Sequence, residues 1–418
     1  LDCKIISNFD VNFKLGNTSA QPESSSLHRE SNQMTYQDFS EIAPFDNDDI
    51  HDHIVRLVAE PGFEHAVKWV LPDVEYSAFA QQLMSLKTQE EFQLNIMVPF
   101  LKVLEAKTSN GVSCSGIDNY LQGNVYTLIS NHRDIVLDAS FLNLCLVREG
   151  RPTCEVAIGN NLLIYPWISD LVRLNKSFIV KRDTGMRGAL DAAKQLSGYI
   201  HHAISSKHQS LWIAHREGRA KDSNDRTQES LIKMLGLAGE GSFVEHVREI
   251  NLMPVSISYE FDPNDYLKVR EFLMKKRNPE YKKSQHDDLL SMETGLLQQK
   301  GRIHFALTEC LSDKIAALPA DIDRNTAVAE VCRMVDHAIH THYRLYPINY
   351  IAYDQLNGTE TFAGKEYTTS DLHQINEYFN KQLAKVDVPD LTADDETFMR
   401  RMMLTMYANP LINKLNAK

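Results

Sequence analysis

Apolar positions along the chain fall into two textures. Over residues 47–108 they recur at helical spacing: Ile50, Ile54, Val55, Leu57 and Val58 make one stripe, and Phe92, Ile96, Phe100 and Val103 another, with Pro99 placed to kink or divide it. Pro61–Gly62 and Pro72–Asp73 break the pattern, and SNGVSCSGIDN at 109–119 reads as a turn-rich connector and a domain boundary. Beyond it, short β-rich runs alternate with longer amphipathic ones. VYTLIS (125–130), EVAIG (155–159), FIVK (178–181), LWIA (211–214), INLMPVSISYE (250–260) and RIHFAL (302–307) read as strands. The intervening 135–147, 162–174, 186–204, 228–238 and 265–277 read as helices. Pro254 inside the fifth run predicts an edge strand or a bulge. Helical periodicity returns near the end, where Val328, Val331, Val335 and Ile339 line one face of 328–343.

This order predicts an α/β fold, a mixed sheet flanked by helices, with helical N- and C-terminal extensions. The expected bounds are a helical region at 34–118, an α/β domain at 119–312 and a helical region at 313–418. Residues 1–33 read as a tail or a non-native leader, because polar residues dominate from Asn17 and Met34 opens a natural beginning.

Composition narrows the class. With 43% hydrophobic and 24% charged residues, the 418-residue chain reads as a soluble globular protein. A net charge of -12 disfavours nucleic acid as a partner. Six scattered cysteines without a C-x-x-C pair argue against a disulfide framework or a zinc ribbon, and read as reduced thiols of a cytoplasmic protein. No stretch reaches 18 apolar residues, so any membrane contact is expected to be peripheral, on the inner face. Phe398, Met399, Met402, Met403, Met406 and Tyr407, with Arg400, Arg401, Lys414 and Lys418 around them, fit either an interfacial helix or, more commonly for such a stripe, a helix docked on the protein's own core.

Four blocks carry candidate chemistry, each at the end of an apolar run or within one. SNHRDIVLD (130–138) places His132 where a strand gives way to a helix, with Asp134 and Asp138 near enough to orient an imidazole. A kinase catalytic loop also begins HRD, but it requires Asn at position 139, which is Ala139, and a preceding glycine-rich loop that the chain lacks. LWIAHREGRAKD (211–222) ends a strand in Glu217, Gly218, Arg219 and further cations, a composition suited to an anionic ligand, although a solvated charged turn is the commoner meaning of such a loop. NKSFIVKRD (175–183) closes a strand with Lys181 and Arg182, and LMPVSIS (252–258) taken alone is plain sheet.

Taken together and in order, NHRDIVLD, SFIVKR, REGRAK and MPVSI resemble the four blocks of the glycerolphosphate acyltransferase superfamily, which includes lysophosphatidate acyltransferases. The resemblance covers about residues 120–310. The family's carboxylate falls five residues after the histidine, where this chain has Leu137. Asp138 stands one residue later and Asp134 competes with it. The family's Glu-Gly block places Arg third after the Glu; here Arg219 is second and position 220 is Ala220. Either Lys181 or Arg182 aligns with the Arg of the second block.

The resemblance implies a glycerolphosphate acyltransferase-like fold and an O-acyltransferase. His132 would be general base, Asp138 (alternatively Asp134) its partner, and Lys181, Arg182, Glu217, Gly218 and Arg219 would bind substrate. The implied partners are an acyl thioester of coenzyme A or acyl carrier protein and an anionic lipid precursor such as glycerol 3-phosphate or a lysophospholipid; no metal and no further cofactor is implied. A non-catalytic lipid or acyl-carrier binder and a thioester hydrolase on the same fold are the rival readings. The chain lacks the G-x-S-x-G elbow that a serine hydrolase would use.

Overall fold

A computed structural model describes residues 39–182, 185–238 and 241–417. The expectation for residues 1–33 lies outside the described residues.

The β-rich runs form one mixed sheet of seven strands. These are β1 (Val112–Ser115), β2 (Thr127–Ser130), β3 (Glu155–Gly159), β4 (Ser177–Val180), β5 (Leu211–Ala214), β6 (Leu252–Tyr259) and β7 (Ile303–Leu307), in the order β1-β7-β6-β2-β5-β3-β4. All neighbours pair in parallel except β6 with β7. A parallel sheet needs cover on both faces, so its strands read as continuous apolar runs. β2 is buried at all of its residues: Leu128 faces the helix Leu137–Arg148, and Ile129 faces the helices Gly185–Ser205 and Arg324–Thr341.

The segment 109–119 differs from expectation. It carries β1, which pairs with β7 at the sheet's edge, so the sheet begins before residue 119. VSCS is half-exposed and short, and turn residues flank it, which is why it carries no clear strand signal. Pro254 also departs from prediction, because β6 lies inside the sheet between β2 and β7. The proline's carbonyl accepts from Thr308. N–H and C=O of one strand residue point the same way, so the N–H that proline lacks would point past Leu307, where β7 has ended.

Two helices, Phe243–Glu249 and Gln285–Leu297, are absent from the sequence reading, and Pro166 opens its helix (Pro166–Leu174) rather than interrupting it. Pro99 does divide its stripe: a π-helical turn, Gln93–Met97, precedes the helix Val98–Thr108. The methionine-rich stripe docks inward. Met399, Met403, Met406 and Tyr407 of the helix Ala393–Asn416 are buried with Ile348, Ile351 and Phe379 of the neighbouring C-terminal helices, so this stripe is core and not an interfacial face. Among the described residues no helix is long and apolar enough to cross a membrane.

Candidate active site

The site is built where three parallel strands end. β2 stops at Ser130, and the next residue continues the ladder with its side chain. Asn131 is buried, and its amide Nδ2 donates to the Ile257 carbonyl at 2.9 Å while its Oδ1 accepts from the Ile257 N–H at 2.8 Å. This frees the backbone to leave the sheet, and the following residue, His132, turns into a cleft.

Asp138, in the first turn of Leu137–Arg148, is wholly buried and its Oδ2 lies 2.8 Å from His132 Nδ1. The same oxygen accepts from the backbone N–H groups of Arg133 (2.6 Å) and Asp134 (3.1 Å). The histidine is therefore held by a carboxylate that is itself fixed, leaving Nε2 for a ligand. Asp134 does other work. Its Oδ1 accepts from the N–H groups of Val136 (2.9 Å) and Leu137 (2.8 Å), capping the helix, and its Oδ2 accepts from Asn264. Burial, then the charge of Asp138, raises the Asp134 carboxyl above its ordinary range. The one-residue shift from the family spacing thus still brings Asp138 to His132. The wall behind the imidazole is Trp212, edge-on at 5.7 Å, its own N–H donated to Ser130 Oγ.

His215, the first residue beyond β5, is a different kind of histidine. It is fully buried, does not line the cleft, and burial pushes its pKa down to about 3, so it stays neutral.

The cleft has a volume of about 1610 Å³. His132 lines it together with every residue expected to bind substrate: Lys181, Arg182, Glu217, Gly218 and Arg219. They are not equivalent. Lys181 is tied to Glu41 by an ion pair. Arg182 meets Glu217 only loosely, at 3.8 Å, and lies against Gly159, where a Cβ would come within 2.9 Å of its Nε. Gly218 has φ +65°, a left-handed conformation that favours glycine, and a Cβ there would meet open space. Arg219 keeps a buried Nη1 without a hydrogen-bond partner.

Arg216 was not singled out by sequence. It lines the same cleft, with a buried Nε that also lacks a partner, and only its place beside Glu217 in the charged block signals it. Lys221 and Lys283 line the cleft too. Lys221 pairs with the buried Glu271, which Lys275 also contacts at 2.9 Å.

The rest of the lining is mostly apolar. Helices Pro61–Val70 and Tyr76–Met84 supply Phe63, Val67, Val70 and Phe79, and Leu137–Arg148 supplies Ala139 and Val147. The arrangement is an oriented imidazole in a cleft lined by cations and by many apolar side chains, suited to proton transfer on a ligand with an anionic head and a hydrocarbon tail.

Comparison with known proteins gives a direct finding over the same region. Residues 111–258 match the family model described as Acyltransferase. No curated protein matches the sequence. Among solved structures, the 1-acyl-sn-glycerophosphate (LPA) acyltransferase PlsC from Thermotoga maritima is similar at 11% identity, over 69% of this chain and 95% of that one, with a TM-score of 0.33.

Proposed function

We propose that the protein, whose residues 111–258 match the Acyltransferase family model, moves a fatty acyl group from an acyl thioester to the hydroxyl of glycerol 3-phosphate, a lysophospholipid or a related anionic lipid precursor. The observation that carries this reading is the 2.8 Å contact of His132 with Asp138 inside a cleft lined by arginines and by many apolar side chains. His132 Nε2 takes the proton of the acceptor hydroxyl as its oxygen attacks the thioester carbonyl. Asp138 stabilises the imidazolium that forms. The tetrahedral intermediate collapses with loss of the thiolate, which takes the proton back from His132. The sequence balances without a covalent enzyme intermediate or a metal.

In this reading Arg182, Arg216 and Arg219 hold the acceptor's anionic group, with Glu217 orienting Arg182 and Lys181 shielded by Glu41. An arginine with an unpartnered buried donor is suited to a phosphate oxygen. The apolar lining takes the acyl chain.

The test is thiol release from palmitoyl-coenzyme A and palmitoyl-acyl carrier protein with a panel of hydroxyl acceptors, beside His132→Ala. Release that depends on one acceptor and on His132 is the expected result and names both substrates. Release without any acceptor would make the protein a thioester hydrolase. No release with either donor, while lipid still binds, would make it a binding protein.

A further inference from the structure

Asp138 has two carboxylate oxygens, both out of solvent, and only one of them is satisfied in the immediate turn. Oδ2 accepts from the imidazole and two backbone N–H groups, whereas Oδ1 is buried without a hydrogen-bond partner. Buried polar atoms of this kind are uncommon and destabilising unless a donor faces them. A second orphan is the hydroxyl of Tyr259, also buried and unpartnered. The backbone brings them together. The amide of Asn131 pairs with Ile257, so Tyr259, two residues further along β6, reaches the level of the 132–134 turn. Ile257 and Tyr259 share a strand face, and both belong to the core packed under Leu137–Arg148.

We infer that Tyr259 is a positioning residue for the His132–Asp138 pair: its hydroxyl donates to Asp138 Oδ1 and sets how much of the carboxylate's charge reaches the imidazole. This rests on the reading of His132 as the base. The charged surroundings agree with a donating phenol. Burial first, then the charges of Asp138 and Asp134, keep the phenol protonated, far above its ordinary range. Of the neighbouring carboxylates, Asp262 is held by Lys268 at 2.5 Å, and Asp134 is offset by the charge of Arg219. Asp138, whose Oδ2 is shared with His132, is the acceptor left for the phenol.

A donor on Oδ1 draws charge away from Oδ2. Removing it leaves the full carboxylate facing the imidazole, which holds its proton more tightly. Tyr259→Phe keeps the ring and deletes the donor. The experiment follows His132 in histidine-labelled protein by NMR titration, and in parallel measures kcat and KM against pH for wild type, Tyr259→Phe and His132→Ala. The expected result is a His132 titration and an acid limb of kcat both displaced to higher pH by about 1 pH unit in Tyr259→Phe, with acceptor KM little changed. A folded Tyr259→Phe protein whose His132 titration does not move overturns the inference. Should Tyr259→Phe fail to fold, 3-fluorotyrosine at position 259 strengthens the donor and should move both readouts to lower pH; no movement again overturns it. Wild-type turnover in His132→Ala would instead remove the base assignment, and the NMR titration would still decide whether Tyr259 acts on the imidazole.

Discussion

Arg133, the residue directly after the candidate base, points away from the cleft and is clasped by Asp225, its two guanidinium nitrogens 2.9 and 2.6 Å from the two carboxylate oxygens. Both partners are buried. Asp225 also accepts from the Tyr343 hydroxyl, while its carbonyl meets His340 Nε2 at 2.7 Å. Burial alone would raise the Asp225 carboxyl, but the charge of Arg133 and the hydrogen bonds of Arg133 and Tyr343 hold it below the usual range. One loop residue thus anchors the His132 turn to the helix Arg324–Thr341, and the histidine beside it is left to face the cleft.

Breaking that clasp from one side strands a buried charge. Arg133→Ala is expected to lower unfolding stability by about 3–5 kcal/mol, and to reduce activity through a loosened turn. Urea denaturation measures the first. A loss under 1 kcal/mol would mean that the pair contributes little.

The two carboxylates near His132 should separate by phenotype. Asp138→Asn keeps the shape but loses the charge that holds the imidazole, and kcat should fall by roughly 10²–10⁴, the scale of general-base catalysis. Asp134→Ala should keep most of the turnover and lose about 1 kcal/mol of stability through its helix cap. Equal losses of kcat would remove the distinction.

Gly295 lies under Asp134. A Cβ there would run into Asp134 Oδ2 and come within 3.2 Å of Asn264 Nδ2. Gly295→Ala should therefore push Asp134 off Asn264 and destabilise the fold by about 1–3 kcal/mol. A thermal midpoint equal to that of wild type would show that the helix Gln285–Leu297 yields instead.

The apolar lining of the cleft should sort acyl chains by length. Ala66 lines it on Pro61–Val70. Ala66→Trp removes room for several methylenes, each worth roughly 0.8 kcal/mol on burial, or about fourfold. Turnover should shift toward shorter thioesters while acceptor KM holds steady; an unchanged chain-length profile would move the acyl chain elsewhere.

Asp265, which does not line the cleft, gives stability a pH dependence. It is fully buried, accepts from Tyr378 (2.6 Å) and Tyr407 (2.9 Å), and burial pushes its pKa up to about 7. The folded state therefore keeps this proton up to about pH 7, while the unfolded chain releases it near pH 4. Stability falls as pH rises between those values, by about tenfold in the unfolding equilibrium per pH unit, and the loss is complete above them. Asp265→Asn should lack that slope. Urea midpoints at pH 5 and pH 8 for both proteins check it, and parallel slopes would count against the assignment.

Most of the sheet was legible because a strand buried on both faces leaves a continuous apolar run. EVAIG and LWIA have the bounds that sequence predicts. β1 was not, because an edge strand of four residues with serines on its half-exposed side carries no such run. The inward docking of Met399, Met403 and Met406 was equally hidden, since a stripe records only that one face is apolar and not what covers it.

The sequence by itself determined the alternation of strands and helices, and placed His132, Arg182 and Arg219 at strand ends, because local periodicity and residue chemistry are properties of neighbours in the chain. Only the tertiary structure decided which carboxylate serves the histidine. Asp134 is nearer in sequence, but the helix N-terminus claims its Oδ1, and the first turn of that helix carries Asp138 back to the imidazole. The same holds for Arg216, Arg133 and Tyr259. Whether a polar side chain faces the cleft, a buried partner or an orphaned oxygen depends on strands and helices far apart in sequence, and no local pattern encodes it.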